Sequence, residues 1–130
     1  MDNFYITTPI YYVNGPPHLG HTYTTVVADT LSRFAKLEGH DTFFLTGTDE
    51  HGTKNYQSAR DLGIEPQQWG DEISGMFRDL WPTMNVENDD FIRTSETRHA
   101  KVVQAILQRL WDKEEIYLAD YEGLYCSGCE

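Results

Sequence analysis

Basic residues are scarce in this 130-residue chain, with ten lysines and arginines against 21 acids and a formal net charge of -11. Proteins that hold nucleic acid by general backbone contact neutralise phosphates with clustered cations, and here the ten are scattered, which disfavours such a binder. Negative charge at this density also repels ATP at long range, so any phosphate site must rely on local donors. Long apolar runs are missing as well. Stretches such as FFL at 43–45 fall far short of a membrane span, and the opening MDNFYITT has neither a basic flank nor a leader-like apolar block. The expected location is the cytoplasm, with no membrane partner. Cysteine occurs only as Cys126 and Cys129, too close together for the disulfide framework of a secreted domain. No internal repeat, low-complexity segment or convincing linker breaks the chain.

What is present is enough for one domain with an apolar core, since 39% of the residues are hydrophobic. NFYITTPIYY predicts a short strand over 4–7, ended by Pro9, and a loop to Gly15. From Leu19 the apolar residues fall at Tyr23, Val26, Val27, Leu31, Phe34 and Leu37, steps of three and four. That spacing predicts a helix with this face buried, stopped by Gly39. A compact buried strand over 43–46 breaks into the polar turn GTDEHG. Two helices follow, near 53–62 and from Pro66, then a strand in DDFIRTS. A last helix is expected to be capped by Thr94 or Ser95, with Val102, Val103, Ile106, Leu107, Leu110 and Trp111 on one side. Alternating strands and helices give an α/β fold with a parallel sheet and right-handed crossovers, in which ligands bind beyond the carboxyl ends of the strands.

Two segments occupy that position. In PPHLGH, His18 and His21 are three apart and share a face of the helix start, where unpaired N–H groups and the positive dipole end make an anion site. Imidazole donors there can hold a triphosphate, and Gly20 lets a flat base approach the backbone. Zinc binding is disfavoured, because zincins place their histidines at i and i+4 with a glutamate between. The bland alternative is a proline-opened helix with surface histidines. In GTDEHG, Asp49 is the residue expected to face the crevice, where a carboxylate can bind an ammonium group by charge-assisted hydrogen bonds. Glu50 reads instead as part of a solvated turn or helix cap, and the charges of FIRTSETRH as a capped helix start. One of Tyr11 and Tyr12 should line the pocket. CSGC is either a redox dithiol or half of a zinc knuckle; its flanks favour the knuckle, and two thiolates leave a tetrahedral site incomplete.

Taken together, TTPIYYVNGPPHLGH, FFLTGTDEHG, DDFIRTSETRH and GLYCSGCE resemble the N-terminal part of the bacterial-type methionyl-tRNA synthetases, a class I aminoacyl-tRNA synthetase family, over residues 4–130. HxGH alone is shared with other class I synthetases and small nucleotidyltransferases, whereas four segments in this order are highly specific. The resemblance implies that His18, Gly20 and His21 bind ATP, the histidines on its phosphates and the glycine under adenine. It further implies that Asp49 holds the methionine ammonium, that Ile10 and Tyr12 lie beside the substrate with Tyr12 near the thioether, and that Cys126 and Cys129 are the first zinc pair of a connective insertion.

The fold implied is the first half of a Rossmann-like parallel-sheet nucleotide-binding domain over residues 1–118, with 119–130 opening the zinc-knuckle insertion. Implied partners are ATP with Mg2+, L-methionine and, through segments outside these residues, tRNA(Met); Zn2+ is implied for the full-length protein. The lysine-rich second signature of the family, the second half of the nucleotide-binding fold and the anticodon-binding domain are absent from the 130 residues. The expectation is therefore an N-terminal segment that does not aminoacylate tRNA by itself. Competing readings are another HxGH nucleotidyltransferase, a non-catalytic ATP-binding remnant, and a redox protein using the two cysteines.

Overall fold

The computed structural model describes residues 2–126. β1 (Asn3–Thr7) is interrupted where Pro9 has no N–H to donate, and the pairing resumes as β2 (Tyr11–Tyr12). There follow α1 (Leu19–Leu37), β3 (Asp41–Asp49), α2 (Thr53–Leu62), α3 (Pro66–Thr83), β4 (Asp90–Arg93) and α4 (Thr97–Asp112). Every strand pairing is parallel. Leu45 on β3 is partnered by Thr7 and by Asp90, and Thr48 by Tyr11 and by Arg93. β1 and β2 thus flank β3 on one side and β4 on the other, which is one half of a doubly wound, Rossmann-like sheet. Two compact units are formed, Met1–Ala100 and Lys101–Glu130. Among the described residues no helix is long and apolar enough to cross a membrane.

The core lies on one face of the sheet. Phe44 joins Ala28 of α1 and Ile73, Phe77 and Trp81 of α3, with Tyr11, Val13, Val86 and Phe91 completing the cluster. Thr46 and Thr48 share that face by the two-residue period and are satisfied there, bonding Thr8 at 2.7 Å and Ser74 at 2.7 Å. The opposite face carries Tyr5 and Phe43, which stack on each other with centroids 5.9 Å apart and are both exposed.

α1 corrects the sequence reading. The face expected to be buried is the exposed one: Leu19 is 81% and Tyr23 71% exposed, and Val26, Val27, Leu31, Phe34 and Leu37 are exposed too. Thr25, Ala28, Asp29, Ser32 and Ala35 are buried instead. Small side chains on this face allow close approach of the helix to the sheet. Asp29, an acid in the interior, is offset by Arg33 at 2.7 Å and by the Glu87 N–H at 2.8 Å. α4 keeps its predicted spacing of apolar residues and buries none of them. It begins at Thr97, so Thr94 and Ser95 do not have the capping role expected; their hydroxyls are used elsewhere.

Gly47 fixes how closely β3 and β4 approach. A Cβ there would lie 2.0 Å from the Ile92 carbonyl oxygen and 2.7 Å from Ile92 Cγ2, so the backbone itself would have to move. Gly47→Ala is expected to destabilise the fold by about 3 kcal/mol, as overpacking does where neighbours cannot yield. Chemical denaturation followed by circular dichroism checks this; an unchanged midpoint would mean that the two strands can part without cost.

Candidate active site

The loop after β2 delivers Pro17 and His18 to the start of α1, and the histidines themselves cap the helix. His18 is the N-cap, in extended conformation, and its Nδ1 accepts the Gly20 N–H at 3.1 Å. His21 reaches back, its Nδ1 accepting the His18 N–H at 3.2 Å. This is a capping box with imidazoles in both roles. The rings stack with centroids 3.8 Å apart and planes 23° from parallel. A neutral imidazole that accepts at Nδ1 carries its proton on Nε2. Both rings are therefore Nε2–H donors, at a helix start with no acid in its first turn to offset the dipole. Gly20 has a further reason to lack a side chain, since a Cβ would meet the His18 ring at 3.0 and 3.1 Å.

His21 is seated against two aromatic residues, Tyr11, one of the two tyrosines expected to line the pocket, and Phe77 of α3. Its ring lies 4.7 Å from that of Tyr11 and makes an edge contact with Phe77 at 4.9 Å. Tyr11 is buried, stacks on Phe77 at 5.4 Å and shares a 2.9 Å hydrogen bond with Thr25. Burial first, and the neighbouring His18 second, hold the His21 imidazole below its ordinary value of 6.5. A histidine whose folded pKa is depressed disfavours its protonated form, so its stability contribution is full above 6.5 and is lost as pH falls below that value. The unfolding midpoint should therefore drop between pH 7.5 and 5.5, and His21→Gln should flatten that drop. Parallel profiles for the two proteins would contradict the assignment.

The second segment lies at the carboxyl end of β3. Asp49 is the register partner of Tyr12, whose neighbour Tyr11 touches His21, so the two segments meet at one end of the sheet. The Asp49 carbonyl accepts the Asn55 side-chain amide at 3.0 Å and the Val13 N–H at 3.4 Å. Its carboxylate Oδ1 receives two long contacts of 3.4 Å, from the Thr94 hydroxyl and the His51 N–H.

Glu50 is not the solvated turn residue expected. Its side chain is only 4% exposed, and Arg93 grips both oxygens at 2.5 and 2.9 Å while Ser95 donates at 2.5 Å and Thr48 at 3.2 Å. Arg93 also bonds Asp71 of α3 at 2.5 Å. Burial pushes the Glu50 carboxyl up, but Arg93 and Ser95 outweigh it and bring it below its ordinary value. The Arg93 guanidinium, bonded to Glu50 first and Asp71 second, is held above its own. A hollow of about 350 Å³ beside this pair is lined by Glu50, His51, Glu65, Pro66, Gln67 and Ser95.

Of the remaining expected residues, Ile10 lies just before β2 and Tyr12 on it, both exposed, with Tyr11 inward and Tyr12 outward as strand alternation requires. Cys126 is exposed, and Cys129 lies outside the described residues. Among the described residues no group of three or more His, Cys, Asp or Glu is placed to hold a metal. Sequence reasoning missed Asn55, which belongs to no charged or aromatic pattern, and took Thr94 only as a helix cap. The Thr94 position after a strand end was the available signal.

Comparison with known proteins gives the relationship. The family model described as "tRNA synthetases class I (M)" matches residues 4–130. A methionine--tRNA ligase of Campylobacter jejuni is 52% identical over 97% of this chain and 20% of its own length; one of Streptomyces coelicolor is 50% identical over 98% and 24%. The chain thus spans about a fifth of the curated relatives it matches. Among solved structures, Mycobacterium tuberculosis methionyl-tRNA synthetase in complex with methionyl-adenylate superposes with a TM-score of 0.84 at 36% identity, over 86% of this chain and 22% of that one. A LeuRS of Agrobacterium radiobacter, in a ternary complex with tRNA and LeuAMS, shares the fold at 21% identity with a TM-score of 0.83, over 89% of this chain and 15% of that one. With two capping histidines at one strand exit, a carboxylate at the next and a family match over nearly every residue, this chain belongs to the class I tRNA synthetases of the M group.

Proposed function

We propose that the chain is the N-terminal segment of a methionine–tRNA ligase, contributing the ATP-phosphate and methionine-ammonium contacts of its active site. The observation that carries this is the histidine capping box at the start of α1, joined through Tyr11 and Tyr12 to Asp49 at the end of β3. In the first reaction the methionine carboxylate attacks the α-phosphate of ATP and pyrophosphate leaves. In the second a hydroxyl of the terminal ribose of tRNA(Met) attacks the carbonyl of the adenylate, the bond to phosphate breaks, and AMP leaves as the methionyl ester forms. His18 and His21 donate Nε2–H to phosphate oxygens, with the free N–H groups of the helix start around them. Neutral imidazole suits this role, because the donors stay oriented by the capping bonds and do not depend on protonation. Gly20 admits the adenine. Asp49 pairs with the ammonium, and Ile10 and Tyr12 lie beside the side chain. A thioether offers a polarizable surface and a weak acceptor, so its selection depends on pocket shape and aromatic contact.

Mg2+ accompanies ATP as part of the substrate. Two thiolates make half of a tetrahedral zinc site, so Cys126 and Cys129 supply two ligands and residues outside 1–130 the others. No step of the reaction runs through them. We assign residues 1–118 to the catalytic domain and 119–130 to the start of the insertion, in a cytoplasmic enzyme. The exposed side of α1 and the exposed Tyr5–Phe43 face support the reading as a segment, since parallel sheets are covered on both faces. The test is ATP–pyrophosphate exchange by the complete protein with each amino acid in turn. Methionine alone should support exchange; another amino acid at equal efficiency would sink the reading.

A further inference from the structure

The Glu50–Arg93 ion pair is buried, yet nothing in the proposed chemistry uses it. Buried ion pairs contribute little net stability compared with apolar packing, so its position calls for another explanation. Strand alternation places Thr48 and Glu50 on the α3 side of the sheet and Asp49 on the other side. Glu50 is immobilised there by Arg93, Ser95 and Thr48. α3 makes room for it with Gly70, where a Cβ would lie 3.2 Å from Glu50 Oε2. On the Asp49 side stands Thr94, 7% exposed, at the end of β4. Its Oγ1 accepts the Glu50 N–H at 2.8 Å. A hydroxyl that accepts along that line has its single hydrogen left to donate, and it faces Asp49 Oδ1 at 3.4 Å.

We propose that Thr94 and Glu50 are positioning residues for Asp49: Glu50 anchors the peptide that joins it to Asp49, and the Thr94 hydroxyl, registered on the N–H of that peptide, orients the Asp49 carboxylate for the substrate ammonium. This rests on the ammonium role of Asp49. A carboxylate that receives the Thr94 hydroxyl and the His51 N–H from a fixed main chain is preorganised, and the rotamer freedom it would otherwise lose on binding is removed in advance. The effect belongs to the methionine end of the site. ATP binds at the α1 start, which neither residue touches.

The test is steady-state exchange by the complete synthetase with Asp49→Asn, Thr94→Val, Thr94→Ser and Glu50→Gln, with unfolding midpoints measured for each. Thr94→Val keeps the shape and removes the hydroxyl, and should raise KM for methionine by about tenfold, the scale of one hydrogen bond to a charged group, without moving KM for ATP. Thr94→Ser should restore the wild-type value. Glu50→Gln should raise KM for methionine in the same sense, and any loss of folding shows separately in its midpoint. If Asp49→Asn raises KM for methionine but Thr94→Val does not, the positioning role is overturned and the ammonium reading stands. If Asp49→Asn has no effect, the ammonium reading itself falls. An equal rise in KM for both substrates with Thr94→Val, or no rescue by serine, overturns the proposal in favour of a purely structural role.

Discussion

Asp49→Asn in the complete synthetase should lower kcat/KM for methionine by about 30-fold or more, because removing one partner of a desolvated charge pair typically costs 2–5 kcal/mol. The substitution keeps the size of the side chain and its capacity to accept a hydrogen bond, so the contacts from Thr94 and His51 survive. What it removes is the negative charge opposite the ammonium. KM for ATP should hold, since the phosphate donors are on α1. A methionine analogue lacking the amino group should discriminate little between the two proteins, and that pairing of results separates charge recognition from a general disturbance of the β3 exit. Steady-state exchange with both ligands checks it.

His18→Ser separates chemistry from capping at the other end of the site. Serine is among the best N-cap residues, so α1 stays capped and the unfolding midpoint should change little. The Nε2–H donor is lost, and the exchange rate should fall by about 100-fold, the scale seen when one preorganised donor to developing charge is removed. His21→Ala should cost stability as well. That change opens the capping box and empties the seat between Tyr11 and Phe77, so both rate and midpoint should fall. A His18→Ser enzyme with full rate would mean that this imidazole caps the helix and does nothing more, and equal midpoints for the two variants would mean that His21 adds nothing to the fold.

Much of this was legible in the sequence, for a physical reason. Proline, glycine and buried aromatic residues act locally, so the strand before Pro9, the helix closed near Gly39 and the helix ended by Gly63 fall where their punctuation puts them. The HLGH and GTDEHG segments were found at strand exits, and the four-segment resemblance to class I synthetases is matched by the family relationship over residues 4–130. The failures share a cause. Leu19, Tyr23, Phe34 and Leu37 form an apolar stripe, and periodicity reports that such a stripe wants cover without saying which neighbour supplies it. Within these residues the sheet takes the small side, Thr25, Ala28 and Ser32. Glu50 was misread because its partner Arg93 is 43 residues away, on a strand whose lateral place no local pattern fixes.

The segment's role is tested most directly by transplantation. Residues 4–130 would replace the corresponding stretch of a curated methionine--tRNA ligase about 50% identical to it, and the chimera would be assayed for methionine-dependent ATP–pyrophosphate exchange alongside its Asp49→Asn and His18→Ser forms. The account predicts exchange with methionine alone and its loss in both variants. A chimera that unfolds with the parent's midpoint yet shows no exchange, or one whose exchange survives both substitutions, would contradict it.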